Sequence, residues 1–272
     1  MVRLGQNFLA DPNLLKAIVA DAALAPDDVV LEVGGGEGAL SERLAGRAAH
    51  LHVIELDERL RAPLMEAVEG GEGEVDVIWG DAMRVELDGL RPAPTAMVAN
   101  LPYSVATPLI LRTIAELPSL RRWTLMVQRE IAERLRARPG TRSYGSPSVL
   151  VQLACEVRML RAVDPAVFKP RPRVDSAVLA LRRRAPAPPE ALRTRIRDAF
   201  SHRRKALPRS LELATKRREA EAEAVGLPAP RPRSGEVRHV AREALRSLGL
   251  PADARAQMLT PPQHLALAEA IG

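Results

Sequence analysis

The sequence has little of what extracellular, metal-clustered or membrane-spanning proteins are built from. Cys155 is the one cysteine in 272 residues, so neither an intramolecular disulfide nor a cysteine-rich zinc site can form. No apolar run approaches the roughly 18 residues of a membrane-spanning helix, and residues 1–8 lack the basic-then-apolar order of a secretory signal. These absences predict a cytoplasmic protein with no cysteine-rich metal site and no membrane partner.

Aromatic residues and lysines are also scarce. The chain has two tryptophans, two tyrosines and three phenylalanines, and four lysines against 36 arginines. The hydrophobic fraction of 46% and the charged fraction of 27% nevertheless match an ordinary globular protein rather than a disordered one. The length predicts one large domain, or one domain with a smaller companion.

Charge is distributed unevenly along the chain. Residues 1–181 contain 21 basic and 24 acidic residues, whereas residues 182–272 contain 19 and 10. The stretch 182–218 alone has 13 basic and 3 acidic residues. A general preference for arginine over lysine explains the composition but not this clustering. The basic block therefore predicts a polyanionic partner such as a nucleic acid.

Short apolar runs alternate with segments of helical periodicity through the first two-thirds of the chain. The predicted strands are 29–33, 51–56, 75–79, 96–99 and 123–127, and the predicted helices are 13–22, 39–44, 60–68, 108–117 and 131–136. This alternation is typical of an α/β fold with a doubly wound, mostly parallel sheet. Two further strand-like runs, 154–160 and 176–181, have no convincing helix between them and predict an antiparallel hairpin at the sheet edge.

A change of composition follows a linker of arginine, alanine and proline at 183–189. Helical periodicity then predicts four helices, at 191–199, 208–224, 237–248 and 262–271. We therefore predict a first domain over residues 1–184 and a small, basic, helical domain over 190–272.

The first predicted strand runs into a glycine-rich turn, Gly-Gly-Gly-Glu-Gly at 34–38, and then into a helix. Glycines at such a turn permit a tight bend and let a ligand approach the backbone. Glu55 ends the next strand, where a carboxylate commonly binds ribose hydroxyls, and Asp81 ends the third, in position to accept a hydrogen bond from an adenine amine. This pattern suits an adenosine-containing cofactor, either NAD or S-adenosylmethionine.

The fourth strand ends in Asn100-Leu101-Pro102-Tyr103, which suits methylation of an amino group on an aromatic ring. Such a nitrogen is a poor nucleophile because its lone pair is delocalised into the ring. The Asn100 side-chain oxygen and the Leu101 carbonyl can accept its two hydrogens and aim the lone pair at a methyl group. Tyr103 offers a stacking face for a flipped-out base, worth about 1–3 kcal/mol. Phe168, in a proline-stiffened basic loop, is predicted as the other side of the base clamp.

Together these motifs resemble those of the ribosomal RNA adenine dimethyltransferase family. The resemblance is carried by GQNFL at 5–9, EVGGGEG at 32–38, IELD at 54–57, GDA at 80–82, NLPY at 100–103, VQREIAERL at 127–135, YGSPSV at 144–149, FKPRPRVDS at 168–176 and AFSHRRK at 199–205. Each motif is modest, but their order and spacing are specific.

The resemblance implies a Rossmann-like class I methyltransferase fold whose first domain binds S-adenosyl-L-methionine. The implied cofactor contacts are Asn7, Leu9, Gly34, Gly36, Glu55, Asp81 and Asn100. The implied catalytic residues are Asn100, Leu101, Tyr103 and Phe168, with no metal. The helical domain is expected to bind RNA phosphates, above all through Arg203, Arg204 and Lys205.

The implied activity is N6-dimethylation of two adjacent adenines in the 3′-terminal helix loop of 16S rRNA. The expected partner is that rRNA within a small-subunit precursor, bound by a monomer during ribosome biogenesis. The segments NLPY, YGSPSV and FSHRRK favour this branch of the family. The alternatives are an Erm-type 23S rRNA adenine methyltransferase, a non-catalytic rRNA-binding assembly factor, and an NAD-dependent oxidoreductase, which would leave the basic domain unexplained.

Two departures from the family pattern carry expectations of their own. Gly35 stands where the family usually has proline, and we expect it to loosen the cofactor loop. The segment 228–242 is longer and richer in proline and arginine than is usual, so RNA selectivity in that region is not transferable from the family.

Overall fold

The computed structural model describes residues 7–69, 71, 73–228 and 231–272. Residues 5–6 of the first motif and residues 229–230 of the proline-rich segment lie outside the described residues. The chain forms two compact units, one of Met1–Glu133 with Cys155–Pro186 and one of Arg134–Ala154 with Ala187–Gly272.

The first unit is built on a seven-stranded sheet. The strands of this unit are β1 (Phe8–Leu9), β2 (Val29–Val33), β3 (His50–Glu55), β4 (Glu74–Trp79), β5 (Ala96–Asn100), β6 (Arg122–Gln128), β7 (Cys155–Val163), β8 (Phe168–Lys169) and β9 (Ser176–Arg183). The sheet order is β4-β3-β2-β5-β6-β9-β7, and β1 and β8 form a separate antiparallel pair. Strands β2 to β6 run parallel, while β9 and β7 are antiparallel. The predicted antiparallel edge is confirmed.

The helices of this region start and end close to their predicted bounds. They are α1 (Pro12–Ala22), α2 (Ser41–Ala45), α3 (Arg61–Glu69), α4 (Ala106–Glu116) and α5 (Arg129–Leu135). Helix α1 shows why the prediction succeeds locally. Asp11 Oδ1 accepts a hydrogen bond from the Leu14 amide at 2.8 Å, and Pro12 occupies the first turn.

The centre of the sheet is buried along its whole length. Every residue of β2 and β3 is buried, as expected for parallel strands covered on both faces. Trp123 on β6 is fully buried. Because β2, β3, β4 and β5 are parallel, the residues that follow them meet at one edge of the sheet. This edge carries the glycine-rich turn, Glu55, Asp81 and Asn100.

The second unit is helical. Its helices are α6 (Ser146–Ala154), α7 (Glu190–Phe200), α8 (Leu207–Ala224), α9 (Ser234–Ser247) and α10 (Pro261–Ile271). The sequence pattern does not predict α6, because the apolar residues after Gln152 continue into β7, and the pattern places Ala154 in that strand. None of the helices in the described ranges combines the length and apolarity needed to cross a membrane.

Tyr144 explains why residues 134–154 group with the C-terminal helices. Its hydroxyl donates a hydrogen bond to the Leu259 carbonyl at 2.8 Å, and its fully buried ring lies 6.0 Å from that of Phe200. The Phe200 ring in turn lies 5.0 Å from that of His264. The predicted boundary near 184–190 therefore differs from the structural division, since it leaves 134–154 with the first domain.

Candidate active site

A cavity of about 350 Å³ opens at the carboxyl edge of the sheet. It is lined by Asn7, Phe8, Val33, Gly34, Gly36, Ile54, Glu55, Leu56, Gly80, Asp81, Ala82, Asn100, Leu101, Pro102, Tyr103, Ser104 and Val105. All of the predicted cofactor and catalytic residues except Leu9 and Phe168 are in this lining. Residues far apart in sequence are thus brought together at one place.

The glycine-rich turn forms one wall through backbone that other residues could not supply. Gly34 and Gly36 have φ angles of 85° and 59°, in the left-handed region. A Cβ on Gly34 would lie 3.5 Å from the Asn100 carbonyl oxygen, and one on Gly36 would lie 3.3 Å from the Phe8 ring. The Gly34 amide also donates to the Ile54 carbonyl at 2.8 Å, which ties the turn to the end of β3. The turn therefore lets the backbone approach both neighbouring walls.

Gly35 corrects an expectation. A Cβ at this position would lie 2.6 Å from Val53 Cγ1 and 3.1 Å from Leu64 Cδ2, closer than packed carbon atoms approach. The absence of a side chain thus lets the turn sit tightly against β3 and α3. Gly35 makes close packing possible here instead of loosening the loop.

Glu55 is held in place by backbone donors. Its side chain is buried, Oε2 accepts a hydrogen bond from the Gly36 amide at 2.9 Å, and Oε1 accepts one from the Asp57 amide at 2.8 Å. Each carboxylate oxygen can accept a second hydrogen bond. Glu55 is therefore fixed in orientation and can still accept bonds from a ligand's hydroxyl groups.

A second carboxyl group, Glu32 on β2, lies in the core. It is 1% exposed, and its Oε2 accepts a hydrogen bond from Ser41 Oγ at 2.6 Å. Burial raises the pKa of Glu32 to about 8, and the nearby charge of Glu55 acts in the same direction, against the opposing effect of Ser41. The raised pKa therefore favours the protonated form of Glu32 in the folded protein.

The end of β5 presents the two acceptors that the sequence predicts. Asn100 Nδ2 donates to the Asn7 carbonyl at 3.4 Å, which leaves the side-chain oxygen to accept a hydrogen bond. The Leu101 amide donates to the Met126 carbonyl on β6 at 3.0 Å, which fixes the backbone that carries the Leu101 carbonyl. Both groups are thus held by neighbouring strands and loops before a ligand arrives.

Tyr103 is oriented by Ser176, which ends the motif at 168–176 but is not among the predicted site residues. Its hydroxyl lies 2.8 Å from the Oγ of Ser176, which is fully buried at the start of β9. The partners are 73 residues apart, so no local pattern in the sequence could have revealed the bond.

Leu9 and Phe168 are the two predicted site residues that the structure keeps out of the cavity. They face each other across the β1–β8 pair and are 7% and 3% exposed. Side chains alternate along a strand, so both turn into the core while Phe8 and Lys169 turn away from it. Both side chains therefore lie in the core and outside the cavity lining, and the roles expected for Leu9 at the cofactor and for Phe168 at the base stay predictions.

Phe8 and Leu56 are among the apolar residues that line the cavity without having been predicted. Phe8 packs over the Gly36 backbone, and Leu56, 53% exposed, follows the carboxylate of Glu55. Leu56 therefore adds apolar surface to the cavity wall beside the fixed carboxylate. The periodicity of the sequence could not distinguish Leu56 from the buried residues before it.

The predicted RNA-binding residues lie in the second unit. Arg203, Arg204 and Lys205 are exposed in the turn between α7 and α8. The Arg203 guanidinium donates to the Arg142 carbonyl at 3.0 Å. The turn therefore presents three cations on one short, exposed segment.

A further basic group in the same unit is absent from the predicted set. Arg238, Arg242 and Arg246 recur every four residues on α9, which places them on one face. With Arg209 of α8 they line a cavity of about 230 Å³. Glu212 offsets part of this charge, because it accepts from Arg209 at 2.8 Å and from Arg238 at 3.3 Å. The four-residue spacing is visible in the sequence and could have identified this group.

Comparison with known proteins decides the family. The model of the family described as Ribosomal RNA adenine dimethylase matches residues 2–228. The chain belongs to this family. This adenine dimethylase is 41% identical over 267 residues to the ribosomal RNA small subunit methyltransferase A of Rubrobacter xylanophilus, a match covering 97% of this chain and 92% of that protein.

Two solved structures resemble this adenine dimethylase over nearly its whole length. A dimethyladenosine transferase from Plasmodium falciparum superposes with a TM-score of 0.77 at 25% identity, covering 96% of this chain and 95% of that one. The 23S rRNA methyltransferase ErmE superposes with a TM-score of 0.66 at 30% identity, covering 97% and 99%. The predicted family, Rossmann-like fold and rRNA adenine dimethyltransferase activity are confirmed, and the NAD-dependent alternative is set aside. Membership also implies a methyl donor of the S-adenosylmethionine type.

Proposed function

We propose that this adenine dimethylase uses S-adenosyl-L-methionine to dimethylate N6 of two adjacent adenines in the 3′-terminal helix loop of 16S rRNA. It acts as a monomer on a small-subunit precursor. The observation that carries the chemistry is the corner of Asn100, Leu101 and Tyr103 in the wall of the cavity that contains Glu55. The choice of rRNA is supported by 41% identity to a small-subunit methyltransferase, against 30% to the 23S enzyme ErmE.

The residues in the cavity fit the proposed cofactor. Glu55 offers a fixed carboxylate for ribose hydroxyls, and Asp81, whose Oδ1 accepts from the Met83 amide at 2.8 Å, offers a carboxylate for an adenine amine. Leu56 and Phe8 provide apolar surface, and Gly34 provides backbone that can be approached closely. When bound, S-adenosyl-L-methionine supplies an electrophilic methyl group.

The chain's own residues then position the target amine. Asn100 Oδ1 and the Leu101 carbonyl accept the two N6 hydrogens, which turns the nitrogen lone pair toward the methyl group. With the donor bound, the nitrogen would bond to the methyl carbon as the methyl–sulfur bond breaks and the neutral thioether leaves, and it would then lose a proton to water, so a strong base is not required. Tyr103, held by Ser176, stacks on the adenine face. The first methylation removes one of the two hydrogens, so the second depends more on stacking.

In this proposal, the second unit binds the RNA. Arg203, Arg204 and Lys205 are exposed, and the arginines of α9 form a second cationic surface. Guanidinium and ammonium groups bind phosphate oxygens without regard to sequence, so these residues contribute affinity and placement. Target choice at the adenine belongs to the cavity of the first unit.

Replacing Asn100 by alanine tests the proposed chemistry. Asn100→Ala should lower the single-turnover rate about 100-fold, because a misplaced amine loses the alignment on which transfer depends, while RNA affinity stays unchanged. Mono- and dimethyladenine are quantified separately by mass spectrometry. Glu55→Ala is the contrasting variant, expected to weaken cofactor binding in calorimetry more than it lowers the rate at saturating cofactor. Full dimethylation by Asn100→Ala at the parent rate would contradict the proposed mechanism.

The choice of rRNA is tested by mapping. Primer extension over 16S and 23S rRNA, from cells with and without the protein, should show stops at two adjacent adenines near the 3′ end of 16S rRNA that depend on the protein. Dependent stops in 23S rRNA alone would instead support the Erm-type alternative.

A further inference from the structure

Four polar side chains form a patch at the amino ends of β3 and β4, the end of the strands opposite the cavity. His50 pairs with Glu74 and His52 pairs with Asp76 across the two parallel strands. Residues two apart on a strand share a face, so all four lie on the same side of the sheet. The two histidines are 6% and 1% exposed, while Asp76 reaches the surface.

His52 is oriented by a backbone carbonyl. Its Nε2 lies 2.8 Å from the Pro92 oxygen, which can only accept, so Nε2 carries a hydrogen. The neutral ring then has its lone pair on Nδ1. That atom lies 3.5 Å from Asp76 Oδ2. Two acceptor atoms therefore face each other across a gap that a cation would fill.

The His50 ring is oriented in a similar way, with the Glu74 carboxylate in place of the Pro92 carbonyl. Its Nδ1 lies 3.3 Å from Glu74 Oε2 and its Nε2 lies 2.9 Å from Asp76 Oδ2. When Nδ1 donates to Glu74, the lone pair of Nε2 also points at Asp76. One ligand atom from each of His50, His52 and Asp76 lies within 4.8 Å of the others.

We propose that His50 Nε2, His52 Nδ1 and Asp76 Oδ2 bind a divalent transition-metal ion, with Zn²⁺ the best match. Two imidazoles and a carboxylate are ligands that Zn²⁺ accepts in tetrahedral geometry. Histidines that bind metals usually donate their other N–H to a carboxylate or a backbone carbonyl, and here Glu74 and the Pro92 carbonyl are in those positions. The Asp76 side chain is 56% exposed, so the fourth position is open to water.

The site would act on the sheet and not on methyl transfer. Strand β4 lies at the edge of the sheet, and the ion would join it to β3. From His50 to Glu55 the chain advances five residues, about 16 Å along an extended strand. The ion is therefore too far from the cavity to contact the reacting groups, and its expected effect is on stability.

Zinc binding to the full-length, chelator-treated protein tests the proposal. Calorimetric titration with Zn²⁺ alone should show one equivalent bound, and Asp76→Asn should weaken the affinity at least about 10-fold. This variant keeps the shape of a half-exposed side chain and should fold. His239→Asn, at an exposed histidine on α9, is the matched control and should bind as the parent does. His52→Asn should also lose zinc binding. If the His52→Asn protein does not fold, the zinc affinity of Asp76→Asn decides the test.

Thermal unfolding gives a second readout. Zn²⁺ should raise the unfolding temperature of the parent and of His239→Asn but not that of Asp76→Asn, because only a folded site binds the ion. No zinc uptake by the parent would overturn the proposal. Equal affinity in the parent and Asp76→Asn would overturn it too, by placing the ion elsewhere.

Discussion

Two glutamate residues on neighbouring strands differ in role because their hydrogen-bond partners differ. Glu55 accepts from two backbone amides and lines the cavity. Glu32 lies fully in the core, where Ser41 is its hydrogen-bond donor. The motifs EVGGGEG at 32–38 and IELD at 54–57 do not distinguish an acid in the core from one in the cavity wall, because the distinction follows from where the folded sheet places each side chain.

Glu32 predicts a pH dependence of stability. Its pKa is 4.5 in the unfolded chain and about 8 in the folded one, so between these values the folded protein binds more protons. Its contribution to stability is fully present below pH 4.5 and is lost as the pH rises to 8, by about 1 kcal/mol per unit. Glu32→Gln retains an acceptor for Ser41 and should remove this slope.

Urea unfolding of the parent and of Glu32→Gln across that pH window measures the effect. The free energy of unfolding of Glu32→Gln should rise steadily relative to that of the parent as the pH increases. A free-energy difference between the two proteins that does not change with pH would contradict the assignment of a protonated Glu32.

Among the strands and loops, the cavity depends on bonds between segments distant in sequence. The loop after β5 carries Tyr103, which is tied to β9 through Ser176. The β1–β8 pair turns Phe8 toward the glycine-rich turn and Phe168 into the core. Strand pairing thus selects the aromatic side chain that faces the cavity.

The Tyr103–Ser176 bond predicts coupled effects. Tyr103→Phe and Ser176→Ala should each lower the single-turnover rate about 2- to 10-fold, as expected for one net hydrogen bond, because the stacking ring loses its orientation. The double variant should be no slower than either single one, since both remove the same bond. Cofactor affinity should not change. Additive effects would mean that Ser176 does not act through Tyr103.

Across the whole molecule, the division into two units sharpens the charge contrast seen in the sequence. The first unit contains 20 basic and 24 acidic residues, a net charge of −4, and the second contains 20 and 10, a net charge of +10. Residues 134–154 contribute four arginines and no acidic residue to the second unit. The polyanion partner is therefore expected to bind the helical unit.

This separation predicts that RNA and cofactor binding respond to different substitutions. Replacing Arg203, Arg204 and Lys205 by glutamine should lower RNA affinity. The slope of log affinity against log salt should fall by about 0.7–0.9 for each phosphate that is no longer neutralised. Cofactor affinity should stay constant. Filter binding over a range of salt concentrations measures the slope.

The control carries the same loss of charge on the other unit. Arg47, Arg121 and Arg158 are exposed in the first unit, and replacing them by glutamine should leave the slope nearly unchanged. Equal slopes in the two triple variants would show that total charge, and not the α7–α8 turn, governs binding.

Local patterns in the sequence are sufficient to predict the alternation of strands and helices, the glycine-rich turn and the acceptors that follow β3, β4 and β5. Hydrophobic periodicity identifies each strand or helix, and the bounds of that element show which residues lie at its end. The carboxyl ends of parallel strands meet at one edge, so the sequence is enough to place Glu55, Asp81 and Asn100 together. The cavity contains all three.

Features that depend on pairing and burial follow from the tertiary fold alone. The antiparallel register of β1 with β8 takes Leu9 and Phe168 out of the cavity, and packing around Tyr144 assigns residues 134–154 to the helical unit. The raised pKa of Glu32 and the His50, His52 and Asp76 cluster likewise arise between strands. The periodicity of single segments does not show which segments pair or how far a side chain is desolvated, because both are properties of segments brought together by the fold.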